Sequence, residues 1–136
     1  MKVRCIYNIK NKQMVEEKSL KNVEATDHRY DFTIGKEYTV IGIAYSKDST
    51  YLENYPMLEL VNDFGNYEGA PLFLFEIIDD RSSQYWHIKF NNETKYLYMW
   101  PESFYQEYYF DDLTDGVPEV EKDFERVSKL LEEEIY

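Results

Sequence analysis

The sequence predicts an α+β protein that is mainly β, with a small, bent antiparallel sheet or barrel and a C-terminal amphipathic helix. Two observations carry this prediction. Short apolar runs rich in β-branched and aromatic residues, separated by turn-forming residues, fill residues 1–100, and an apolar repeat of helical period ends the chain. A length of 136 residues fits one domain of ordinary size, so we expect a single domain over 1–136.

The N-terminal part predicts two strands separated by a long polar loop. Alternating apolar and polar residues indicate a strand at about 2–9. Residues 9–30 are mostly polar and predict a loop, although a loop of this length is unusual in a compact domain, which favours a helical turn or a functional role within it. A tight turn at Gly35 leads into a strand over 37–45, where Gly42 indicates a bulge or a close backbone approach.

Four further segments read as strands. We expect 57–62 to pair antiparallel with the strand over 37–45, and the apolar run 72–78 to be the most buried strand. Residues 84–90 and 95–100 flank an Asn-rich turn and predict a hairpin. One face of the hairpin would carry Trp86, Ile88 and Phe90, and the matching face opposite would carry Tyr96, Tyr98 and Trp100. The predicted core includes Ile77 and Ile88.

The last 36 residues predict helical structure. Pro118 suits the first position of a helix, and apolar residues then recur at spacings of four, three and four, which indicates an amphipathic helix over about 118–134. Glu125 and Lys129 stand at the spacing of a favourable ion pair on that helix. Aromatic residues at helical spacing after Pro101 indicate a short helix or a pair of turns.

Charge is strongly negative and unevenly distributed. The chain has 27 Asp and Glu against 15 Lys and Arg, a formal net charge of −12. This balance argues against nucleic-acid binding, which needs clustered cations. Residues 101–136 hold 12 acidic and 3 basic side chains, net −9, so this acidic helical segment is either a solvated face or a partner surface.

The location predicted from the sequence is the cytoplasm. No apolar stretch approaches the roughly 20 residues that a membrane span needs, and the N-terminus turns polar too soon for a signal peptide. Cys5 is the single cysteine, which excludes an internal disulfide and a CxxC-type site.

Motifs with chemical meaning are weak throughout the chain. The triplet Asp63–Gly65 matches the magnesium-binding triplet of protein kinases, but the chain is too short for a kinase and lacks its other motifs, so we expect a turn. His28 and His87 have no second ligand at metal-binding spacing. Adjacent carboxylates such as Asp111 and Asp112 suit turns and helix caps better than an acid–base pair. We therefore predict no catalytic residue, no cofactor and no bound metal.

An aromatic cluster followed by acidic residues is the predicted partner-binding site. Aromatic side chains anchor protein interfaces, and acidic groups around them would steer a basic partner. The alternative is that the aromatic rings pack a short helix onto the sheet while the acids are solvated. The residues of this predicted site are Phe104, Tyr105, Tyr108, Tyr109, Asp111, Asp112 and Asp115.

Four segments together resemble a known group of proteins. They are MKVRCI at 1–6, FTIGKEYTVI at 32–41, LVNDFG at 60–65 and LFLFEIID at 72–79. In this order they are similar to a widespread group of small bacterial and phage proteins. The resemblance implies a small barrel of the Src-homology type. Some relatives with a Trp-containing segment and an acidic helical C-terminus resemble immunity proteins of bacterial toxin systems.

Three functions remain open from the sequence. The first is an immunity protein that occludes a basic toxin domain without catalysis. The second is a phage or mobile-element accessory protein that binds a host protein or a small ligand through the barrel and the 9–30 loop. The third is a small enzyme of unrecognised type, which would require carboxylates with raised pKa values converging in a pocket. The sequence leaves the oligomeric state open.

Overall fold

The computed structural model describes residues 1–47 and 55–136. The strands are β1 (Lys2–Cys5), β2 (Ile9–Lys10), β3 (His28–Arg29), β4 (Glu37–Thr39), β5 (Gly42–Tyr45), β6 (Met57–Val61), β7 (Tyr67–Pro71), β8 (Phe75–Asp79), β9 (Trp86–Asn91) and β10 (Tyr96–Pro101). The α-helices are α1 (Lys12–Glu17), α2 (Tyr109–Thr114) and α3 (Pro118–Glu132), and 3₁₀ turns span Leu72–Leu74 and Glu102–Tyr105.

Two antiparallel sheets and a C-terminal helix confirm the predicted α+β class. The first sheet has the strand order β4-β1-β8, the second has the order β7-β6-β5-β10-β9, and β2 pairs separately with β3. Over the described ranges neither sheet closes on itself, so the predicted barrel does not form.

A change of sheet inside residues 37–45 explains why the strands form two layers. The N–H of Val40 donates to the carbonyl of Met1, at 3.0 Å, while the next N–H, of Ile41, donates to the carbonyl of Glu59, at 2.9 Å. Consecutive peptide groups therefore bond to different sheets. The segment predicted as one strand is two strands, β4 and β5, and the second pairs with β6 as expected.

The 9–30 segment contains the helical turn that its length suggested. Asn11 caps α1, because its side-chain oxygen accepts a hydrogen bond from the N–H of Met14 at 2.9 Å. The Met14 side chain is 1% exposed and belongs to the core. The strand predicted over 2–9 is shorter, since β1 ends at Cys5.

Two predictions about strand faces are wrong. The run 72–78 begins as a 3₁₀ turn before β8, and Ile77 on β8 is 44% exposed. The hairpin forms as predicted, but in its register Trp100 lies opposite His87, and Ile88 opposite Met99. Trp100 therefore shares a face with His87, and Ile88, 70% exposed, lies outside the core.

Two apolar clusters lie on the two faces of the second sheet. The first joins that sheet to the first sheet and α1, with Leu58 and Leu60 of β6 facing Val3 of β1. The second packs the helical segment onto the opposite face. Its buried members are Ile41, Phe104, Tyr109, Phe124, Val127 and Leu131. Trp86 packs against both clusters, and the layers are thus first sheet, second sheet, helices.

The C-terminal helix agrees closely with its prediction. Pro118 occupies its first turn, and Phe124, Val127 and Leu131 are its buried residues. Glu125 and Lys129 do not form the expected ion pair. Among the described residues, the ion pair on this helix joins Asp123 and Arg126, at 2.8 Å. Both side chains of the expected pair remain in solvent.

A carboxylate ties the turn before β4 to the turn after β6. Asp63 accepts hydrogen bonds from the hydroxyls of Thr33 and Tyr38, each at 2.6 Å, and from the ammonium of Lys36 at 3.0 Å. Hydrogen bonds from Thr33 and Tyr38, with a further one from Lys36, lower the pKa of Asp63 to about 2. The Asp63–Gly65 triplet is a turn, as predicted, and its carboxylate links the two sheets.

We expect Asp63→Asn to lower the free energy of unfolding by about 1–3 kcal/mol at pH 7, because the charged acceptor of three hydrogen bonds is lost. The pKa of Asp63 lies below the ordinary value of an aspartate. The stability that its carboxylate contributes is therefore present above about pH 4 and is lost as the pH falls toward 2. Urea unfolding at both ends of this range measures it. Asp80→Asn, at an exposed aspartate, is the control, and equal losses in both variants would contradict the proposed link.

Candidate functional site: an acidic helical surface

The aromatic residues of the predicted site divide into buried and exposed members. Phe104 and Tyr109 are 1% and 3% exposed and lie in the second apolar cluster. The hydroxyl of Tyr109 donates to Asp123 at 2.8 Å. Tyr105 is half-buried, and its hydroxyl donates to the backbone carbonyls of His87 and Tyr98. These three side chains therefore hold the helical segment on the sheet, and Phe104 and Tyr109 are not accessible to a partner.

Tyr108 is the exposed aromatic residue of the site. Its side chain is 66% exposed, and its backbone is left-handed, with φ 60° and ψ 21°. This conformation costs a non-glycine residue about 1 kcal/mol or more. It lets the carbonyl of Tyr108 accept the N–H of Asp112 at 2.8 Å, which starts α2. The turn that positions α2 thus also presents the ring of Tyr108 to solvent.

The acidic members of the predicted site lie on a wider acidic surface. Asp111 and Asp115 are exposed and Asp112 is half-buried, all on α2 or directly after it. None of the three has a basic group within ion-pair distance among the described residues. The same holds for six further carboxylates of the helical segment. The acidic surface, as defined here, consists of Glu107, Asp111, Asp112, Asp115, Glu119, Glu121, Glu125, Glu132 and Glu133.

Part of this acidic surface lines a groove of about 1050 Å³ between β4 and α3. Glu121, Glu125 and Glu132 line it from α3. Lys2 and Lys36 line the opposite side, but each is held by its own sheet: Lys36 bonds to Asp63, and Lys2 donates to the hydroxyl of Thr39 at 3.4 Å. Lys129 lines the groove from α3 as well, so the three carboxylates on this side of the groove outnumber a single basic side chain.

The sequence-based reasoning missed Glu59, the most deeply buried carboxylate of the described chain. Glu59 lies on β6 opposite Gly42 of β5 and Gly69 of β7. The missing side chains leave space for the ring of Trp100, whose Cδ1 would be 2.6 Å from a Cβ on Gly42. The close approach predicted at Gly42 is thereby confirmed. Glu59 Oε2 and Trp100 Nε1 are both buried without a hydrogen-bond partner.

Burial raises the pKa of Glu59 to about 7, while the nearby polar hydrogens of Tyr67 and Trp100 act more weakly in the opposite direction. A single carboxylate of raised pKa is one part of an acid–base site. Glu59, however, is 5% exposed and lines neither the groove at β4 nor a second groove of about 670 Å³ between the β9–β10 hairpin and α3. Because Glu59 is buried and faces neither of these grooves, we treat it as a structural carboxylate.

Among the described residues, the remaining groups with metal-binding or nucleophilic chemistry include His, Asp and Glu side chains and the thiol of Cys5. Within residues 1–47 and 55–136, no three His, Cys, Asp or Glu side chains are close enough to hold a metal ion. Cys5 is buried, which raises the pKa of its thiol to about 11 and keeps it protonated. Among the helices of the described ranges, none has the length and apolar character that crossing a bilayer requires.

Comparison with known proteins returns no match to a family model, to a curated protein or to a solved structure.

Proposed function

We propose that the protein is a non-catalytic, cytoplasmic binding module that neutralises a basic protein by occlusion, as immunity proteins of bacterial toxin systems do. The single observation that carries the proposal is the acidic surface, whose nine carboxylates have no ion-pair partner among residues 1–47 and 55–136. Uncompensated charge of one sign raises the association rate with an oppositely charged partner by about 10- to 1000-fold. The resemblance of the sequence to small bacterial and phage proteins supports the same class of function.

The proposed contact has an anchor and a charged surround. Tyr108 supplies the exposed aromatic ring, and large aromatic side chains carry much of the affinity of protein interfaces. Negative charge near that ring comes from residues that follow Tyr108 along the chain, Asp111, Asp112 and Asp115, on α2 or directly after it. Phe104 and Tyr109 support this arrangement from beneath, because their burial fixes α2 on the sheet.

The first step of the test is to identify a binding partner. Pull-down from host lysate with the tagged protein, at low and moderate salt, together with co-expression of neighbouring open reading frames, identifies candidates. The proposal requires a basic protein whose toxicity is relieved when this chain is co-expressed. A partner that is acidic, or a basic partner whose toxicity persists in the complex, would contradict neutralisation.

Charge reversal then tests the surface. We expect the triple variant Asp111→Lys, Asp112→Lys and Asp115→Lys to slow association with that partner by about tenfold or more at low salt and to flatten its salt dependence. Stopped-flow or surface-plasmon-resonance kinetics measure both effects. The matched control reverses three exposed acids elsewhere, in Glu16→Lys, Asp80→Lys and Glu93→Lys. The surface is wrongly assigned if the two triple variants associate equally fast.

The groove between β4 and α3 favours a second candidate function, an accessory protein that binds a small ligand or a host protein. Its volume of about 1050 Å³ is comparable with the volumes of sites that bind small molecules. Its charged and open lining suits an extended peptide or a polar ligand better than an apolar one. Loss of ligand binding in Glu125→Lys, with toxin neutralisation absent in the unmodified protein, would favour this candidate over the first.

A further inference from the structure

An exposed apolar patch lies on the second sheet, away from the acidic surface. Its four most exposed members are Ile88 at 70%, Phe90 at 54%, Leu97 at 39% and Tyr45 at 36%. They come from the three neighbouring strands β9, β10 and β5. Scattered apolar residues on a surface are ordinary, whereas contiguous ones mark contact sites.

The strand register makes the patch contiguous. Leu97 lies directly opposite Phe90 on one side and Tyr45 on the other. Met99 lies opposite Ile88 in the same way. Because successive side chains alternate between faces, residues two apart on these strands share one face, and the paired residues across strands share it too. The apolar patch is therefore one surface, two cross-strand rows deep.

The patch is exposed because the first sheet covers only part of this face. Leu58, Leu60 and Ala70, on β6 and β7, are fully buried against the first sheet. Ile43 on β5 is half-buried at the edge of that contact. The face then continues onto β10 and β9, where the side chains are exposed.

The absence of charged side chains among the described residues of the patch indicates which molecule could bind there. On β5, β9 and β10 the residues that share this face include no charged side chain: they are Ile43, Tyr45, Trp86, Ile88, Phe90, Leu97, Met99 and Pro101. A chain of net charge −12 repels its own copies over most of its surface. On this uncharged face two copies can approach with the least repulsion. The helices α2 and α3, with the acidic surface, lie on the opposite side of the sheet.

The exposed area suits a modest dimer. At about 200 Å² for a fully exposed large side chain, the four most exposed residues present roughly 400 Å². That is within the range of the largest patches on monomeric proteins. Two such patches bury roughly 800 Å², and the flanking residues of the same face must supply the rest of the roughly 1,000 Å² that a specific interface needs.

We propose that the chain forms a symmetric dimer in which the apolar patches of two copies pack face to face, as two sheets pack in a sandwich. The contact is independent of the proposed toxin neutralisation and leaves both acidic surfaces free. An interface of this small area belongs to the weak, transient class, so we expect the monomer to be populated in dilute solution.

Sedimentation equilibrium from micromolar to submillimolar concentration tests the dimer. The unmodified full chain should show a monomer–dimer equilibrium, and Phe90→Lys should raise its dissociation constant by at least about tenfold, because the charge must be desolvated at the interface. The matched control is Phe64→Lys, at a phenylalanine that is 74% exposed on the turn after β6. Both sites are exposed, so both variants should keep the fold, which circular dichroism checks.

Each outcome decides the proposal. A dimer that Phe90→Lys weakens and Phe64→Lys leaves intact supports it, as does oxidative cross-linking of an Ile88→Cys variant to itself. A protein that stays monomeric at every concentration overturns the proposal and leaves the patch to a different partner. A dimer equally stable in both variants, or open-ended aggregation of the unmodified chain, overturns it as well.

Discussion

Replacing Glu59 by glutamine is expected to abolish a loss of stability that the unmodified protein undergoes between about pH 5 and pH 8. The pKa of Glu59 is about 7 in the folded chain, above its ordinary value of 4.5. Within that interval the folded state binds more protons than the unfolded state, so the free energy of unfolding falls as the pH rises. The raised pKa corresponds to about 3 kcal/mol of stability at acidic pH, which is lost as the pH rises through about 7.

Chemical denaturation at a series of pH values between 5 and 8 measures this effect. Glu59→Gln keeps the shape of the side chain and removes its titration, so the fall in stability between pH 5 and pH 8 should be absent from this variant. The control is Glu37→Gln, at an exposed glutamate on β4, which should retain the slope of the unmodified protein. A flat profile in the unmodified protein would show that Glu59 is solvated or paired in solution.

Phe104→Ala is expected to lower the free energy of unfolding by about 3–5 kcal/mol, the usual cost of truncating a fully buried phenylalanine. Phe104 is 1% exposed. The centroid of its ring lies 5.0 Å from the ring centroid of Tyr109, 5.3 Å from that of Phe110 and 6.0 Å from that of Phe124. Its removal opens a cavity among aromatic side chains that cannot all move to fill it.

Tyr108→Ala is the matched comparison, because Tyr108 is exposed and makes no described packing contact with the cluster. We expect its unfolding free energy to stay within about 0.5 kcal/mol of the unmodified value, while affinity for a partner falls. Urea unfolding and partner titration separate these two roles. Similar losses of stability in the two variants would contradict the division between supporting and exposed aromatic residues.

The predicted partner-binding residues show how far local sequence reasoning extends. The segment after Pro101 is helical, as the spacing predicts, and its aromatic rings differ in exposure. Phe104 and Tyr109 pack the segment onto the sheet, and Tyr108 is exposed. Helical spacing alone does not separate them, because the left-handed backbone of Tyr108 breaks the helix between the 3₁₀ turn and α2.

The motifs behind the family resemblance are brought together by long-range contacts. Thr33 and Tyr38 of one motif bond to Asp63 of another, and β1 pairs with both β4 and β8. Their order along the chain suggested a barrel. The structure instead passes from the first sheet to the second at Val40 and Ile41, a choice that depends on two hydrogen bonds to distant carbonyls and leaves no local pattern.

Features that arise between neighbours in the chain can be read from the residues alone: the β-rich composition, the turns at Gly35 and at Asp63–Gly65, the β9–β10 hairpin and α3. Periodicity, glycine at positive φ and proline at a helix start are local properties. Which faces of those elements are covered depends on the packing of the whole fold. Strand alternation shows that Ile88 and Glu59 lie on particular faces, but the first sheet ends before Ile88, while Trp100 closes over Glu59. Burial depends on what packs against a face, and that is set by residues far away in the sequence.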